Sequence, residues 1–221
     1  MMEALQGEGG IVPGSADFFQ TIRDLCDETG ALMICDEVQI GMGRSGKLWG
    51  YENLPVTPDI FTSAKALGGG VPIGAMLAAG PAADVFGPGD HASTYGGNPL
   101  ACAAGLAVAQ YMYDNDTLAN VDARGKQLSE GLEAIAKQHP GMLGDVRGWG
   151  LLKGVEVVAE GVPPGQVVQA AMDEGLLLVA AGSNVVRFVP PLIITEQEME
   201  SALKMFEKAV VAVEEKIAVT N

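Results

Sequence analysis

Short apolar runs bounded by polar residues organise the first part of the sequence. Residues 31–35 are continuously apolar and stop at Asp36, which is typical of a parallel strand buried on both faces. Residues 59–63 and 73–78 predict two further strands, and helical patterns lie between the runs. This alternation predicts an α/β layered fold with a mainly parallel sheet.

Capping residues mark the helices of this part. Ser15 is a good N-cap and Gly30 a good end for a first helix, in which Phe18, Ile22 and Leu25 fall on one apolar stripe. A second, alanine-rich helix opens at Asn98 and Pro99, a cap followed by a proline at the first position, and ends near residue 114.

The remaining sequence predicts a smaller α+β unit. An amphipathic helix runs to residue 139 with Leu128, Leu132 and Ile135 on one side. The later pattern predicts strands at 151–157, 176–180 and 185–189, a helix at 166–174, and a last helix that Thr195 and Glu198 open as a capping box. We therefore expect two domains, residues 1–113 and residues 114–221.

Composition excludes several classes of protein. With 13 Lys and Arg against 28 Asp and Glu, the net charge of −15 argues against nucleic acid or an anionic membrane as partner. No apolar run reaches the roughly 18 residues of a membrane span, and residues 1–3 lack the basic start of a secretory signal. Three scattered cysteines without a CxxC pair indicate reduced thiols, a cytoplasmic protein and no metal site.

Two cations stand alone in long uncharged stretches. Lys65 is the only charged residue between positions 59 and 84, and Arg187 is the only one between 174 and 196. A cation in an apolar setting needs a partner or a function, because desolvation of a charge is costly. Both are therefore candidate functional residues.

Lys65 is a candidate nucleophile. It follows a predicted strand and precedes glycines at 68–70, which leave room for a ligand or another chain segment. We expect partial burial to lower its pKa and so to free an amine that attacks carbonyls. A lysine that extends to the surface from a sheet edge is the alternative, and both interpretations stand.

Asp36 and Thr94 suggest contacts to a ring and to a phosphate. Asp36 lies at the carboxyl end of its strand, where it could keep a ring nitrogen protonated, or it could simply form a turn. Gln39 follows it in glycine-rich surroundings. Thr94 precedes a helix N-terminus that suits a phosphate, although an ordinary capping loop explains it equally well. Arg187 could clamp a carboxylate or pair with an internal acid such as Glu8.

Five separated motifs occur in one order. They are residues 6–10 (QGEGG), residues 36–44 (DEVQIGMGR), Lys65 with 68–70 (GGG) and 72–74 (PIG), residues 94–99 (TYGGNP), and residues 187–192 (RFVPPL). In this combination the chain resembles the class III pyridoxal-phosphate (PLP) aminotransferases along essentially its whole length, and within them most the acetylornithine and ornithine aminotransferases. The resemblance implies the type I fold of PLP-dependent transferases, with part of the large domain and a small C-terminal domain.

The resemblance also implies roles for single residues. Lys65 would hold PLP covalently and move the proton, Asp36 would keep the pyridine nitrogen protonated, Val38 would pack on the ring, and Gln39 would approach its phenolic oxygen. Thr94 would bind the phosphate of the cofactor in the neighbouring subunit, which implies a homodimer with a shared site.

Substrate recognition is implied as well. Arg187 would bind the carboxylate of the substrate, and Glu8 would pair with it while a basic amino substrate is bound. The implied reaction moves an amino group from N-acetylornithine or a related amine to 2-oxoglutarate, a step of arginine biosynthesis.

Complete members of the family are about twice as long, and they usually carry a proline where Ala4 follows Glu3. We therefore expect a carboxy-terminal portion of an aminotransferase that is inactive alone. The alternatives are a non-catalytic module that binds PLP or dimerises, an ornithine aminotransferase, a glutamate-1-semialdehyde aminomutase and, least supported, a lysine-dependent aldolase.

Overall fold

The computed structural model describes residues 1–220 and contains strands joined by helices. The strands are β1 (Met2–Glu3), β2 (Leu5–Gln6), β3 (Val12–Pro13), β4 (Ile34–Asp36), β5 (Ile60–Ser63), β6 (Ala75–Ala78), β7 (Leu143–Trp149), β8 (Leu152–Val157), β9 (Val179–Ala181) and β10 (Val185–Phe188). The α-helices are α1 (Ala16–Thr29), α2 (Pro99–Asp114), α3 (Thr117–Gln138), α4 (Pro164–Asp173) and α5 (Glu196–Thr220).

Contacts between residues divide the chain into two units. The first unit comprises Met1–Leu5 and Gly14–Leu118, and the second comprises Gln6–Pro13 and the chain from Ala119 on. The division thus falls at 118, where the sequence predicted a boundary near 114. It also assigns residues 6–13 to the second unit, because β3, which pairs with β2, also packs on β7 of that unit.

The first unit is built on a mainly parallel sheet. Its strand order is β1-β4-β5-β6, with β1, β4 and β5 parallel and β6 antiparallel at the edge. Asp36 at the end of β4 lies opposite Thr62 of β5, so both strands end at the same edge of the sheet. The predicted strands are confirmed, although β4 begins only at Ile34 and β6 only at Ala75.

Helix α1 confirms its predicted caps but only part of its predicted apolar face. The Ser15 side chain accepts a hydrogen bond from the Phe18 backbone N–H, and Gly30 ends the helix at φ 72°. Phe18 and Leu25 are 53% and 48% exposed, whereas Phe19 is buried in the small core of this unit. Of the predicted stripe only Ile22 packs against this core, because packing around Met33 turns the buried face toward Phe19, Ile22 and Cys26.

The second unit has an antiparallel sheet and a continuous hydrophobic core. The strand order is β7-β8-β10-β9, and its core cluster includes the predicted stripe of Leu128, Leu132 and Ile135 together with Phe206 of α5. Thr195 and Glu198 form the predicted capping box of α5. Among residues 1–220, no helix combines the length and the apolar composition that crossing a membrane requires.

Candidate functional site

Asp36 and Lys65 lie at the same edge of the first sheet. Asp36 is the last residue of β4, and Lys65 opens a short 3₁₀ turn, Lys65–Gly68, directly after β5. Since β4 and β5 are parallel neighbours, their carboxyl ends meet at one edge, the place where open α/β sheets bind ligands. The fold therefore brings together the two residues that the sequence selected for carbonyl and ring chemistry.

The surroundings of Lys65 differ from the prediction in one respect. The expected partial burial is wrong, because the residue is exposed. Its backbone φ is 46°, in the left-handed region that residues other than glycine rarely adopt. Strained backbone of this kind concentrates at ligand-binding and catalytic positions.

The glycines after Lys65 serve the packing of the chain itself. A Cβ at position 68 would lie 2.7 Å from Cγ2 of Ile73, and one at position 69 would lie 2.8 Å from Cγ2 of Val108 on α2. A Cβ at Gly70 would meet nothing within 4 Å. The sequence offered two reasons for the glycines, room for a ligand or close approach of another chain segment. The second reason holds for Gly68 and Gly69.

Asp36 is half-buried and forms a local turn. Its Oδ1 accepts a hydrogen bond of 3.0 Å from the Val38 backbone N–H, while no residue that the structure describes donates to Oδ2. The turn fixes the direction of the carboxylate, so the turn and the ring-binding interpretation are compatible. Val38 and Gln39 follow as half-buried residues beside the same edge.

Glu37, next to Asp36, is a buried carboxylate that binds the backbone of a neighbouring loop. It was not among the residues singled out in the sequence. It is 1% exposed, and its carboxylate accepts hydrogen bonds from the backbone N–H groups of Gly50 at 2.6 Å and Tyr51 at 2.8 Å. Burial raises its pKa, and the two hydrogen bonds oppose that rise. The acidic pair after the strand was a visible signal, but the partners of Glu37 lie too far along the chain to be read from it.

Thr94 lies in an exposed loop before α2. Asn98 caps the helix through a 3.0 Å hydrogen bond from the Ala101 N–H, as predicted, and Ser93 Oγ accepts one of 2.9 Å from the Gly96 N–H. The loop is therefore ordered by its own side chains. The exposed Thr94 stays a candidate phosphate ligand at a helix N-terminus.

Glu8 and Arg187 form an ion pair within the second unit. Nη1 of Arg187, on β10, donates to Oε1 of Glu8 at 2.6 Å. The arginine side chain is 11% exposed and the glutamate side chain 70% exposed. The ion pair gives this largely buried guanidinium a carboxylate partner, which offsets part of the cost of burying its charge.

An apolar cavity in the first unit borders the chain on both sides of Lys65, since Ser63 and Leu67 are among its lining residues. It measures about 510 Å³, and its lining includes Trp49, Leu67, Leu77 and Met112. Neither Lys65 nor Asp36 nor Thr94 lines it. Because the proposed chemistry needs charged and hydrogen-bonding groups, we assign the candidate site to the sheet edge and not to this cavity.

Comparison with known proteins gives one consistent result. The family model "Aminotransferase class-III" matches residues 1–210. The acetylornithine aminotransferase from Nostoc sp. is 59% identical over 96% of this chain, and the matched region is 50% of its own length. The acetylornithine aminotransferase from Synechocystis sp. is 54% identical over 95% of this chain, and the matched region is 49% of its own length. The chain thus spans about half the length of the curated relatives it matches.

Solved structures similar to this chain are also aminotransferases. The ornithine aminotransferase from Toxoplasma gondii ME49 superposes with a TM-score of 0.90 at 35% identity over 97% of this chain and 51% of its own. The N-acetylornithine aminotransferase from Stenotrophomonas maltophilia gives a TM-score of 0.87 at 38% identity over 97% of this chain and 57% of its own. Another structure of the Toxoplasma enzyme is described with partial occupancy of PLP at its active site.

These relationships confirm the predicted type I fold of PLP-dependent transferases, with part of the large domain and a smaller α+β unit. The chain belongs to the class III aminotransferase family.

Proposed function

We propose that this chain carries the lysine, the ring-binding aspartate and the carboxylate-binding arginine of a PLP-dependent aminotransferase. The observation that carries the proposal is the position of Lys65 and Asp36 at the ends of neighbouring parallel strands. An amine and a carboxylate at one sheet edge suit a cofactor that has an aldehyde and a ring nitrogen. The named relatives and the family match support the same chemistry.

The described residues fit PLP in chemistry and in exposure. When bound, PLP supplies an electrophilic carbon and a ring that stabilises negative charge next to it. Lys65, exposed at the sheet edge, would hold the cofactor through its Nζ amine and, with that amine free, would serve as the general base and acid that moves a proton. Asp36 would accept a hydrogen bond from the protonated ring nitrogen, and Val38 and Gln39, beside the same edge, would border the ring.

The ion pair of the second unit supplies the substrate carboxylate site. Arg187 binds the carboxylate of the amine donor or acceptor, and Glu8 neutralises it when no dicarboxylate is present. This exchange lets one pocket accept a basic amino substrate and then 2-oxoglutarate. Relatives named for acetylornithine make N-acetylornithine the first donor to test and place the reaction in arginine biosynthesis.

A homodimer completes the proposed site. Helix α2 exposes Leu100 at 74%, Leu106 at 70% and Tyr113 at 85%, and apolar surface of this kind is suited to a second chain. Thr94 lies just before this helix, so its exposed hydroxyl can serve the phosphate of a cofactor in the partner subunit.

The free cysteines Cys26, Cys35 and Cys102 fit a reducing cytoplasm.

A second candidate function has one observation in its favour. Lys65 is exposed, so the described residues beside it do not enclose a substrate. A chain with this open edge can bind PLP, or dimerise, without completing a transamination.

Spectroscopy with added PLP tests both candidates. The proposed function predicts a Schiff-base absorption band on the purified chain that N-acetylornithine bleaches and 2-oxoglutarate restores. Ornithine and glutamate-1-semialdehyde are run as competing donors. Lys65→Ala should abolish the band, whereas Lys47→Ala, an exposed lysine of the same unit, should leave it unchanged. A band without either half-reaction supports the non-catalytic candidate, and a band that persists in Lys65→Ala contradicts both.

A further inference from the structure

The carboxylate that pairs with Arg187 sits on a segment with little stiffness of its own. Glu8 has glycines at positions 7, 9 and 10, and its side chain is 70% exposed. Glycine-rich backbone has many accessible conformations, so the chain itself does not fix the carboxylate. The 2.6 Å contact with Arg187 therefore needs support from elsewhere.

The loop at Gly182 holds one side of the segment. The Gly182 N–H donates to the Glu8 carbonyl oxygen at 2.9 Å. Gly182 has a φ of 58°, and a Cβ on it would lie 3.2 Å from Cα of Gly10. Glycine is thus favoured at 182 both by the backbone conformation and by the closeness of the segment.

Arg147 holds the other side. Its Nε, on β7, donates to the carbonyl oxygen of Gly10 at 3.0 Å, and the side chain is only 23% exposed. The same guanidinium is oriented by two carboxylates, Asp145 at 3.4 Å and Glu156 at 4.0 Å. Hydrogen bonds on the carbonyls of residues 8 and 10 bracket the functional carboxylate.

Ile11 anchors the end of the segment in a strained conformation. It is fully buried with φ at 55°, an outlier for a β-branched residue. A Cβ at Gly148 or at Gly154 would lie 2.9 Å from its side chain, so these two glycines of β7 and β8 form the notch that accepts it. Strain of this kind persists only where the surroundings determine the conformation, and it concentrates at functional sites.

We propose that Arg147, through the Gly10 carbonyl, is a positioning residue that sets how firmly Glu8 holds Arg187, and therefore how readily a dicarboxylate displaces Glu8. This inference rests on the proposed function, in which Arg187 binds a substrate carboxylate. Weakening the Arg147 hydrogen bond gives the segment more freedom and lowers the competition by Glu8. Arg147 itself does not have to touch the substrate.

Calorimetric titration of the purified chain with 2-oxoglutarate tests the inference. Arg147→Met, which keeps the length but removes the donors, should tighten the dissociation constant about fivefold, the effect of one lost hydrogen bond on the competing state. Arg147→Lys should restore most of the wild-type value. Glu8→Gln should tighten binding as well, and Glu8→Gln with Arg147→Met should tighten it no further than Glu8→Gln alone.

Arg124→Met is the matched control, since Arg124 is also largely buried in the second unit but bonds to Gln127 and Glu196 instead of to the segment. It should leave the dissociation constant unchanged. Tightening in Glu8→Gln without tightening in Arg147→Met overturns the inference and leaves the proposed function standing. Binding that survives Arg187→Met overturns the proposed function.

The rate of amide hydrogen exchange at Gly182 measures, without any ligand, how firmly the segment that carries Glu8 is held. Because this N–H is bonded to the Glu8 carbonyl, Arg147→Met should accelerate its exchange severalfold, and Arg124→Met should not. Equal exchange in wild type and Arg147→Met overturns the inference, whatever the titration gives. Urea unfolding of both arginine variants separates a local release of the segment from loss of the whole unit.

Discussion

The two units differ in how firmly their candidate functional groups are held and in how far those groups are exposed. The second unit holds the segment that carries Glu8 by hydrogen bonds from the Arg147 side chain and the Gly182 N–H, and it has a continuous core of strands and helices. The first unit carries the lysine and the aspartate at an open sheet edge over a small core of Phe19, Met33, Cys35 and Val56, and its helix α2 is largely exposed. The proposed carboxylate-binding pair is thus already formed within this chain, whereas the proposed cofactor-binding edge and helix α2 are exposed.

The largest expected effect tests the self-contained core of the second unit. Phe206 is fully buried and stacks edge-on against Phe188 at 5.0 Å. Phe206→Ala should lower the free energy of unfolding of this unit by about 4 kcal/mol, because it removes apolar contact and leaves a cavity. Urea unfolding followed by circular dichroism measures the change.

Leu177→Ala serves as its control in the same unit, since Leu177 is 79% exposed. It should change the free energy of unfolding by less than about 0.5 kcal/mol. Similar losses in the two variants would mean that the core of the second unit is not the source of its stability.

The next largest effect concerns the hydrogen bonds of Asp59, which link elements of the first unit. Asp59 Oδ2 accepts hydrogen bonds from the Met33 N–H at 2.7 Å and from Nη1 of Arg23 at 2.9 Å, and so links β4 and α1 to the start of β5. Asp59→Asn should cost about 2 kcal/mol in urea unfolding, because hydrogen bonds to a charged group are lost. Asp27→Asn removes the exposed partner of the same arginine and should cost about 0.5 kcal/mol or less.

The same aspartate gives the first unit a pH dependence. Burial opposes ionisation of Asp59, but the hydrogen bonds from Met33 and Arg23 outweigh burial and lower its pKa. A carboxyl with a lowered folded-state pKa adds stability above its unfolded pKa of about 3.9, and this stability is lost as the pH falls through the folded-state pKa. The difference between wild type and Asp59→Asn should therefore shrink on acidification below about pH 4, and a constant difference would contradict this role.

Local signals in the sequence were sufficient for the helix ends and for the motifs. Ser15, Gly30, Asn98 and the pair Thr195–Glu198 cap helices as predicted, because capping depends on residues within one turn. The apolar runs also identified the parallel strands whose ends carry Asp36 and Lys65. These features follow from neighbours in the chain.

Features that depend on distant residues could not be read in the same way. Strand β7 contains Gly144, Asp145 and Gly148 and lacks the alternation of a half-buried strand, so it was missed. The packing of residues 6–13 in the second unit and the strained Ile11 depend on glycines more than a hundred residues away. The exposure of Lys65 was misjudged because an uncharged sequence stretch does not reveal whether its side chains are covered.

The smallest expected effect compares the helix caps of the two units. Ser15→Ala in the first unit and Thr195→Ala in the second should each lower the free energy of unfolding by about 1 kcal/mol. Ser201→Ala, an exposed position within α5, should cost nothing measurable. Thermal unfolding that shows no loss in either cap variant would contradict the capping assignments.

Reduction with borohydride followed by peptide mapping tests the central assignment most directly. The chain is incubated with PLP, reduced and digested, and the peptides are identified by mass spectrometry. We predict that the phosphopyridoxyl group lies on Lys65 and that Asp36→Asn decreases this labelling. Label distributed over other exposed lysines, such as Lys47 and Lys126, with no excess on Lys65 would contradict a cofactor site at the sheet edge.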